Sequence, residues 1–250
     1  TPVGSKHITY HFIFDVKFDL TRKARCVAGG HLNRNIPAQC TYASVVSRES
    51  VRIAFLLAAL NEVDILAGDI GNAYLNAPCK ERVHVTISDD LLFGPENKGK
   101  IAVIVRALYG LKSAGNSWRQ HFATRLREEL GYLPCLADQD VHMKQATKPD
   151  GTKYWSYIIV YVDDVLCIDH DPKLMMKMIS NIYRMKEGSV ETPKVYLGAN
   201  IKQWNLQDEK GEFNKCYALS SETYGKEAVR IVESLMLKNN LKYTSTRRQG

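Results

Sequence analysis

The chain has 250 residues, of which 45% are hydrophobic and 24% are charged, a composition typical of a globular protein with a sizeable core. Its net charge of +7 favours a polyanionic partner, although charge alone does not identify one. No apolar run approaches the roughly 18 residues of a membrane-spanning helix, and no signal-peptide pattern is expected at the N-terminus. The six cysteines include no C-x-x-C pair, which argues against a zinc ribbon and favours reduced thiols in a cytosolic or nuclear compartment.

Hydrophobic periodicity and turn residues predict the elements of the first 110 residues. Strands are predicted over residues 8–17, 24–28, 63–75, 83–87 and 101–105. Residues 48–61 are apolar on most faces, so the pattern predicts a buried helix. Residues 31–46 are expected to form a loop followed by an extended piece, and residues 88–100 a loop.

In the second half, Trp118, Phe122, Leu126 and Leu130 recur at four-residue steps. This spacing predicts a helix over residues 113–130, ended by Gly131. Two apolar runs, 154–161 and 165–168, predict a hairpin. Further predictions are a turn at 145–153, a helix at 171–185 that Asp171 caps, a strand at 195–204, a turn at 207–211, an extended piece at 216–220 and a helix at 222–239. This mixed order favours an α+β fold.

Three carboxylates stand in apolar, strand-like surroundings: Asp69, Asp163 and Asp164. Strand centres disfavour Asp, and a buried charge is costly unless it is paired or binds a cation. Mg²⁺ takes oxygen ligands, and two such ions suit phosphoryl transfer. Each Asp alone could be an ordinary turn residue, but the combination with apolar flanks favours a metal site.

Two of these segments carry a resemblance to a known family. Residues 161–164 read Tyr-Val-Asp-Asp, which resembles the Tyr-x-Asp-Asp motif of reverse transcriptases, and residues 69–74 are similar to their first carboxylate motif. Further matches to the copia class of LTR retrotransposons are residues 23–28, 42–46 with 50–52, 73–76, 108–112 with Trp118, and 196–198. Departures at residues 29–32, Ser44 and residues 113–116 indicate a divergent branch.

The resemblance implies a right-hand polymerase fold. It would place the fingers at residues 1–43 and 81–107, the palm at 44–80 and 108–205, and the start of the thumb at 206–250. In the palm, an antiparallel sheet flanked by helices would carry the carboxylates.

The resemblance also implies roles for individual residues. Asp69 and Asp163 would hold two Mg²⁺ ions, with Mn²⁺ as a substitute, while Asp164 supports them and the carbonyl of Ile70 completes one coordination shell. The dNTP would meet Lys23, Arg25, Gly71, Asn72, Ala73, Tyr74, Gly110 and Lys112. The primer would be positioned by Tyr161, Val162, Leu197 and Gly198.

Some of these assignments leave alternatives open. Tyr74 would pack under the incoming sugar and exclude a 2′-hydroxyl, but it also suits a core aromatic. The sequence does not choose between Lys23 and Arg25 as the triphosphate contact, and Lys112 is equally compatible with a solvated surface lysine.

The function implied is RNA-directed DNA synthesis on a template–primer duplex. RNase H and integrase regions are expected elsewhere in a Pol polyprotein, in cytoplasmic virus-like particles and without membrane association. A catalytically inactive nucleic-acid-binding or structural remnant, and a two-metal nuclease, are the alternatives.

Overall fold

The computed structural model describes residues 2–16, 20–34, 36–88 and 93–241. Parts of several predictions lie outside these residues: Lys17 of the first strand, residue 35 of the loop predicted over 31–46, and residues 89–92 of the loop predicted over 88–100. The same holds for residues 1, 17–19 and 35 of the first fingers segment, residues 89–92 of the second, and residues 242–250 of the thumb segment. The strands in the described part are β1 Lys6–His7, β2 Tyr10–Val16, β3 Arg22–Ala28, β4 Asp64–Asp69, β5 Val83–Thr86, β6 Ile101–Val103, β7 Leu133–Pro134, β8 Val141–Thr147, β9 Lys153–Tyr161, β10 Asp164–Asp169, β11 Val195–Tyr196, β12 Ala199–Gln207 and β13 Phe213–Ser220. The α-helices there are α1 Arg48–Leu60, α2 Ala73–Asn76, α3 Ala114–Leu130, α4 Pro172–Ile182 and α5 Glu222–Lys238.

A five-stranded antiparallel sheet forms the centre of the fold, in the order β4-β10-β9-β8-β7. In the part of the chain that the structure describes, three smaller sheets accompany it: β1-β5-β6, β2-β3 and β11-β12-β13. Together with the helices, this arrangement confirms the α+β prediction.

The central sheet separates two groups of buried side chains. Successive strand residues point to opposite faces, so Cys167 packs with the α3 residues Trp118 and Phe122, whereas Leu166 packs with Phe55 of α1. All five side chains are at most 1% exposed. The apolar stripe predicted on α3 is therefore confirmed as a core face.

The start of α4 and the end of α3 follow the predicted signals. The side chain of Asp171 accepts a hydrogen bond from the N–H of Leu174 at 3.0 Å, with Pro172 at the first helical position. Gly131 ends α3 at φ +75°, a conformation that glycine adopts at little cost.

Two predicted elements extend furthest beyond the observed ones, and the strand predicted over 101–105 also ends early, at Val103. The strand predicted over 63–75 ends at Asp69, because Asn72 turns the chain at φ +52° into the short helix α2. The helix predicted to residue 185 ends at Ile182, since Tyr183 is extended and packs its ring 5.3 Å from that of Trp118.

The C-terminal strands also differ from the prediction. Leu197 and Gly198 have φ values of +47° and +77°, and they divide the strand predicted over 195–204 into β11 and β12. The turn that the resemblance implied at these two residues is thus present. Strand β13 begins at Phe213, three residues before the predicted start at 216. Strand β8, Val141–Thr147, was not predicted.

Candidate active site

The pairing of two strands and one tight turn brings the three carboxylates together. Asp69 is the last residue of β4, and it pairs directly with Asp164, the first residue of β10. Asp163 lies in the two-residue turn that joins Tyr161 of β9 to Asp164. The antiparallel register therefore places all three carboxylates at one edge of the sheet.

Two hydrogen bonds from other segments hold the backbone of the turn that carries Asp163. Val162 has φ +58°, a left-handed conformation that is unfavourable for a β-branched residue. The indole N–H of Trp118 donates to the Val162 carbonyl at 2.6 Å, and the N–H of Ile70 donates to the Asp163 carbonyl at 2.8 Å. These contacts fix the backbone of the turn against α3 and β4.

The carboxylates repel one another in a partly desolvated position. Burial raises the pKa of Asp163, and the charge of Asp69 raises it further. Burial, followed by the charges of Asp163 and Asp69, raises the pKa of Asp164 to about 6. Such upward shifts mean that the nearby positive charges of the protein do not offset the negative charge and burial of these carboxylates.

Lys186 was not predicted as a site residue, yet it contacts Asp69 twice. Its ammonium Nζ lies 2.5 Å from Oδ2 of Asp69, and its backbone N–H donates to the Asp69 carbonyl at 2.8 Å. The hydroxyl of Ser189 accepts from the Asp69 N–H at 3.1 Å. The contact depends on the long-range bridge between Ile70 and Met185, so no local spacing in the sequence could have indicated it.

The types of donor fit a hard divalent cation, because carboxylate oxygens are its usual ligands. The carboxylate side chains are nevertheless not arranged as a complete set of ligands for such an ion. Among the described residues, no three His, Cys, Asp or Glu side chains are arranged so that they could hold a metal. In this structure the Asp69 carboxylate is engaged by Lys186 instead.

A cleft of about 690 Å³ opens beside Asp69 and Asp163. Its lining includes seven further residues of the predicted site: Lys23, Arg25, Gly71, Asn72, Ala73, Tyr74 and Val162. Lys23 and Arg25 are two residues apart on β3, so they share one face of the strand. Strand geometry therefore does not distinguish between them as phosphate contacts.

Two tyrosines form part of the cleft wall. The ring centroids of Tyr74 and Tyr109 are 5.0 Å apart, and the guanidinium of Arg25 lies 6.0 Å from the Tyr109 ring centroid. Burial, and then the charge of Asp163, raises the pKa of both tyrosines. Both phenols therefore stay protonated and able to donate a hydrogen bond at neutral pH. Tyr109 was not predicted as a site residue.

Gly110 and Lys112 are not among the residues that line this cleft. Gly110 has φ +88°, and a Cβ there would come 2.2 Å from the Ala28 carbonyl oxygen. It therefore allows close packing against β3, the strand that carries Lys23 and Arg25. The ammonium of Lys112 donates to the Asn33 carbonyl at 3.0 Å. The nucleotide-binding roles of Gly110 and Lys112 stay predictions.

A second, smaller cavity of about 240 Å³ adjoins the carboxylates. Asp69, Asp164 and Leu197 line it, but Gly198 does not. Tyr161 is half-buried and pairs with Asp164 across the hairpin. The structure thus brings Tyr161 and Leu197 close to the carboxylate edge and leaves their predicted primer-positioning role untested.

Comparison with known proteins decides the family. Residues 1–208 match the family model described as reverse transcriptase (RNA-dependent DNA polymerase). The chain belongs to this family. The reverse transcriptase match confirms the resemblance read from the sequence and shows an RNA-directed DNA polymerase domain.

The domain is similar to parts of retrotransposon polyproteins. It is 26% identical to the retrovirus-related Pol polyprotein from transposon RE1 of Arabidopsis thaliana over 81% of the chain. It is 26% identical to that from transposon TNT 1-94 of Nicotiana tabacum over 74% of the chain, and 28% identical to the transposon Ty1-BR Gag-Pol polyprotein of Saccharomyces cerevisiae over 76%. These matches confirm the copia-type relationship. They span only 14%, 14% and 11% of the three relatives.

One further finding concerns membranes. Within the described residues, no helix is long and apolar enough to cross a bilayer.

Proposed function

We propose that this reverse transcriptase domain extends a primer 3′-hydroxyl with dNTPs on an RNA or DNA template. The observation that carries the proposal is the pairing of Asp69 with Asp164, with Asp163 in the adjoining turn, at the wall of a cleft. Three mutually repelling carboxylates at one edge suit a site that takes its positive charge from metal ions.

The metal ligands would be Asp69 and Asp163, supported by Asp164 and the carbonyl of Ile70. When bound, two Mg²⁺ ions, or Mn²⁺ in their place, would activate the primer hydroxyl and stabilise the leaving pyrophosphate. The protein's own contribution is positional, because the Trp118 and Ile70 hydrogen bonds hold the carboxylate turn in place.

The substrate would lie in the cleft. Lys23 and Arg25 on β3 offer two cations on one face for the triphosphate. Residues 71–73 and Tyr74 would surround the sugar, and the Tyr74 ring would exclude a 2′-hydroxyl. The fingers, palm and thumb boundaries given above are proposed on the same grounds, as are the roles of Tyr161, Val162, Leu197 and Gly198 at the primer.

The proposed setting is a larger polyprotein. The relatives are Pol and Gag-Pol polyproteins, so we propose that RNase H and integrase regions accompany this domain in cytoplasmic virus-like particles. The net charge of +7 supports a template–primer partner, and binding is expected to weaken as salt rises.

The test is primer extension on poly(rA)/oligo(dT) with dTTP, in Mg²⁺ and in Mn²⁺. The parent is compared with Asp163→Asn, which removes one charge with little change of shape. Asp150→Asn, in the exposed turn between β8 and β9 and at the opposite end of β9 from the carboxylates, is the matched control. Extension by the parent and by Asp150→Asn, but not by Asp163→Asn, is the expected result.

The alternatives give different outcomes in the same assay. If the folded parent binds the primer–template but adds no nucleotide, the domain is a non-catalytic remnant. If a labelled oligo(dT) primer or poly(rA) template is shortened in a metal-dependent way while no nucleotide is added, the domain is a nuclease that uses these carboxylates.

A further inference from the structure

Lys186 places a cation at one of the three carboxylates. Its Nζ is 2.5 Å from Oδ2 of Asp69, and Lys186 is the only side chain in the described part of the protein that forms an ion pair with Asp69. The side chain of Asp69 is 22% exposed and that of Lys186 is 54% exposed. The pair therefore lies at the mouth of the cleft, where ions can reach it.

A divalent ion and this ammonium cannot share the Asp69 oxygen in its present position. Mg²⁺ binds carboxylate oxygen at about 2.0–2.1 Å, and two cations that close would repel each other strongly. In this structure Oδ2 of Asp69 faces Lys186, and among the described residues no three His, Cys, Asp or Glu side chains are arranged to hold a metal. A metal that binds Oδ2 of Asp69 must therefore break the ion pair.

We infer that Lys186 is a built-in counter-ion that holds Asp69 while no metal is bound, and that a divalent metal binds by displacing the Lys186 ammonium from Asp69. The inference rests on the proposed metal site at Asp69, Asp163 and Asp164. It adds a direct competition between a residue of the chain and the metal.

The backbone around Lys186 is fixed, so only the side chain needs to move. The Lys186 N–H is bound to the Asp69 carbonyl, and the Lys186 carbonyl accepts from the Ser189 hydroxyl at 2.7 Å and from its N–H at 3.1 Å. The four-carbon stem of lysine is flexible and its head group is strongly hydrated. Displacement therefore costs little more than the ion pair itself.

Lys186→Gln tests the competition because it removes the charge and keeps most of the length. We expect it to bind Mn²⁺ roughly five-fold more tightly than the parent, since the exposed ion pair no longer competes. Lys186→Arg keeps a cation and should bind Mn²⁺ no more tightly than the parent. Electron paramagnetic resonance of unbound Mn²⁺ gives these affinities without any assay of activity.

Lys23→Gln is the matched control for overall charge. Lys23 lines the same cleft, but it makes no ion pair with Asp69. If Lys186 acts by direct competition, Lys23→Gln should tighten Mn²⁺ binding clearly less than Lys186→Gln does. Equal gains in the two variants would show a general charge effect and overturn the inference.

Thermal unfolding provides a second readout. Without metal, Lys186→Gln should unfold at a lower temperature than the parent, because three carboxylates have lost their cation. With saturating Mn²⁺ the difference should vanish or reverse, because the metal then supplies the charge. A deficit that stays the same with and without Mn²⁺ would show a purely structural lysine and overturn the inference.

Asp163→Asn separates this inference from the proposed function. If the parent binds Mn²⁺, Asp163→Asn does not, and Lys186→Gln leaves the affinity unchanged, the proposed metal site stands and the competition is rejected. If neither the parent nor Lys186→Gln binds Mn²⁺, both the proposed metal site and the inference fail.

Discussion

Two groups of acidic residues at the central sheet differ in how the surrounding protein balances their negative charge. One is the carboxylate edge of Asp69, Asp163 and Asp164. The other is the pair Asp138 and Asp140, which precedes β8 and contacts α1 and α3. Burial opposes ionisation at both places, so the difference comes from what the surrounding protein donates.

The Asp140 carboxylate is neutralised by the protein. Its Oδ1 lies 2.6 Å from Nε of Arg119, its Oδ2 accepts from the Ser44 hydroxyl at 2.5 Å, and the residue is only 3% exposed. At such a site the charge is paired and hydrogen-bonded, as buried charges must be.

Asp138 is satisfied by hydrogen bonds. Burial alone would raise its pKa, but donation from the Ser47 N–H at 3.0 Å and the Ser50 hydroxyl at 2.7 Å outweighs burial and lowers the pKa. At Asp163 and Asp164 the pKa moves upward instead. Carboxylates that the protein satisfies tie elements together, whereas carboxylates left short of positive charge are suited to bind an external cation.

The largest expected effect is on primer extension, which a substitution at the carboxylate edge should abolish and a substitution at Asp138 should not. Asp69→Asn should lower the rate of primer extension by at least about a thousand-fold, because a missing metal ligand removes several kcal/mol of transition-state stabilisation. Asp138→Asn should keep the parental rate in its folded fraction, measured by extension alongside circular dichroism. An equal loss in folded Asp138→Asn would break the comparison.

Asp140→Asn should show the reverse, with a cost in folding rather than in chemistry. Removing one partner of a buried ion pair leaves Arg119 uncompensated, which costs about 3 kcal/mol of unfolding free energy. Urea denaturation measures this cost. The exposed pair Arg127–Glu128 is the control, and Glu128→Gln should change the unfolding free energy by less than about 1 kcal/mol.

His142 should make the neighbourhood of Asp140 sensitive to acid. Burial lowers its pKa to about 4 despite the nearby charge of Asp140, and neither ring nitrogen has a hydrogen-bond partner among the described residues. The unfolded chain takes up this proton near pH 6.5, so stability falls as pH drops from about 6.5 to about 4, by up to about 3 kcal/mol. His142→Leu should remove this part of the pH dependence in urea denaturation at several pH values, and an unchanged slope would contradict the prediction.

Asp164 should give the smallest effect, with the opposite sign. Its folded pKa of about 6 lies above the unfolded value, so the metal-free protein should gain stability as pH falls from about 6 to about 4. At pH 7 Asp164→Asn should raise the unfolding free energy by about 1–2 kcal/mol, after allowance for solvent screening. Urea denaturation in EDTA checks this. If Asp164→Asn lowers the unfolding free energy instead, the protein already compensates the charge of Asp164 and the comparison fails.

Sequence patterns were enough where structure is decided locally. The apolar flanks of Asp163 and Asp164 predicted the β9–β10 hairpin, and the four-residue spacing from Trp118 to Leu130 predicted α3. The Asp171 cap was equally visible. These features depend on neighbours within a turn or two of chain.

The remaining features depend on pairing between distant segments. Strand β8 was missed because its buried members include the polar His142, which breaks the apolar alternation. Lys186 was missed because its contact spans 117 positions. The early end of β4 is the exception, because the left-handed Asn72 follows Gly71 and this local Gly-Asn pair is a turn signal that the strand prediction overlooked.

The hydrogen bond from Trp118 to Val162 also makes the fluorescence of Trp118 a reporter of the turn that carries Asp163. Of the three tryptophans, Trp155 and Trp204 are 44% and 45% exposed, whereas Trp118 is 1% exposed. A water-soluble quencher such as iodide should therefore suppress the emission of the first two and spare that of Trp118. Because its indole N–H holds the carbonyl next to Asp163, the fluorescence that survives quenching follows the turn itself. Metal and nucleotide titrations can then be read without a label.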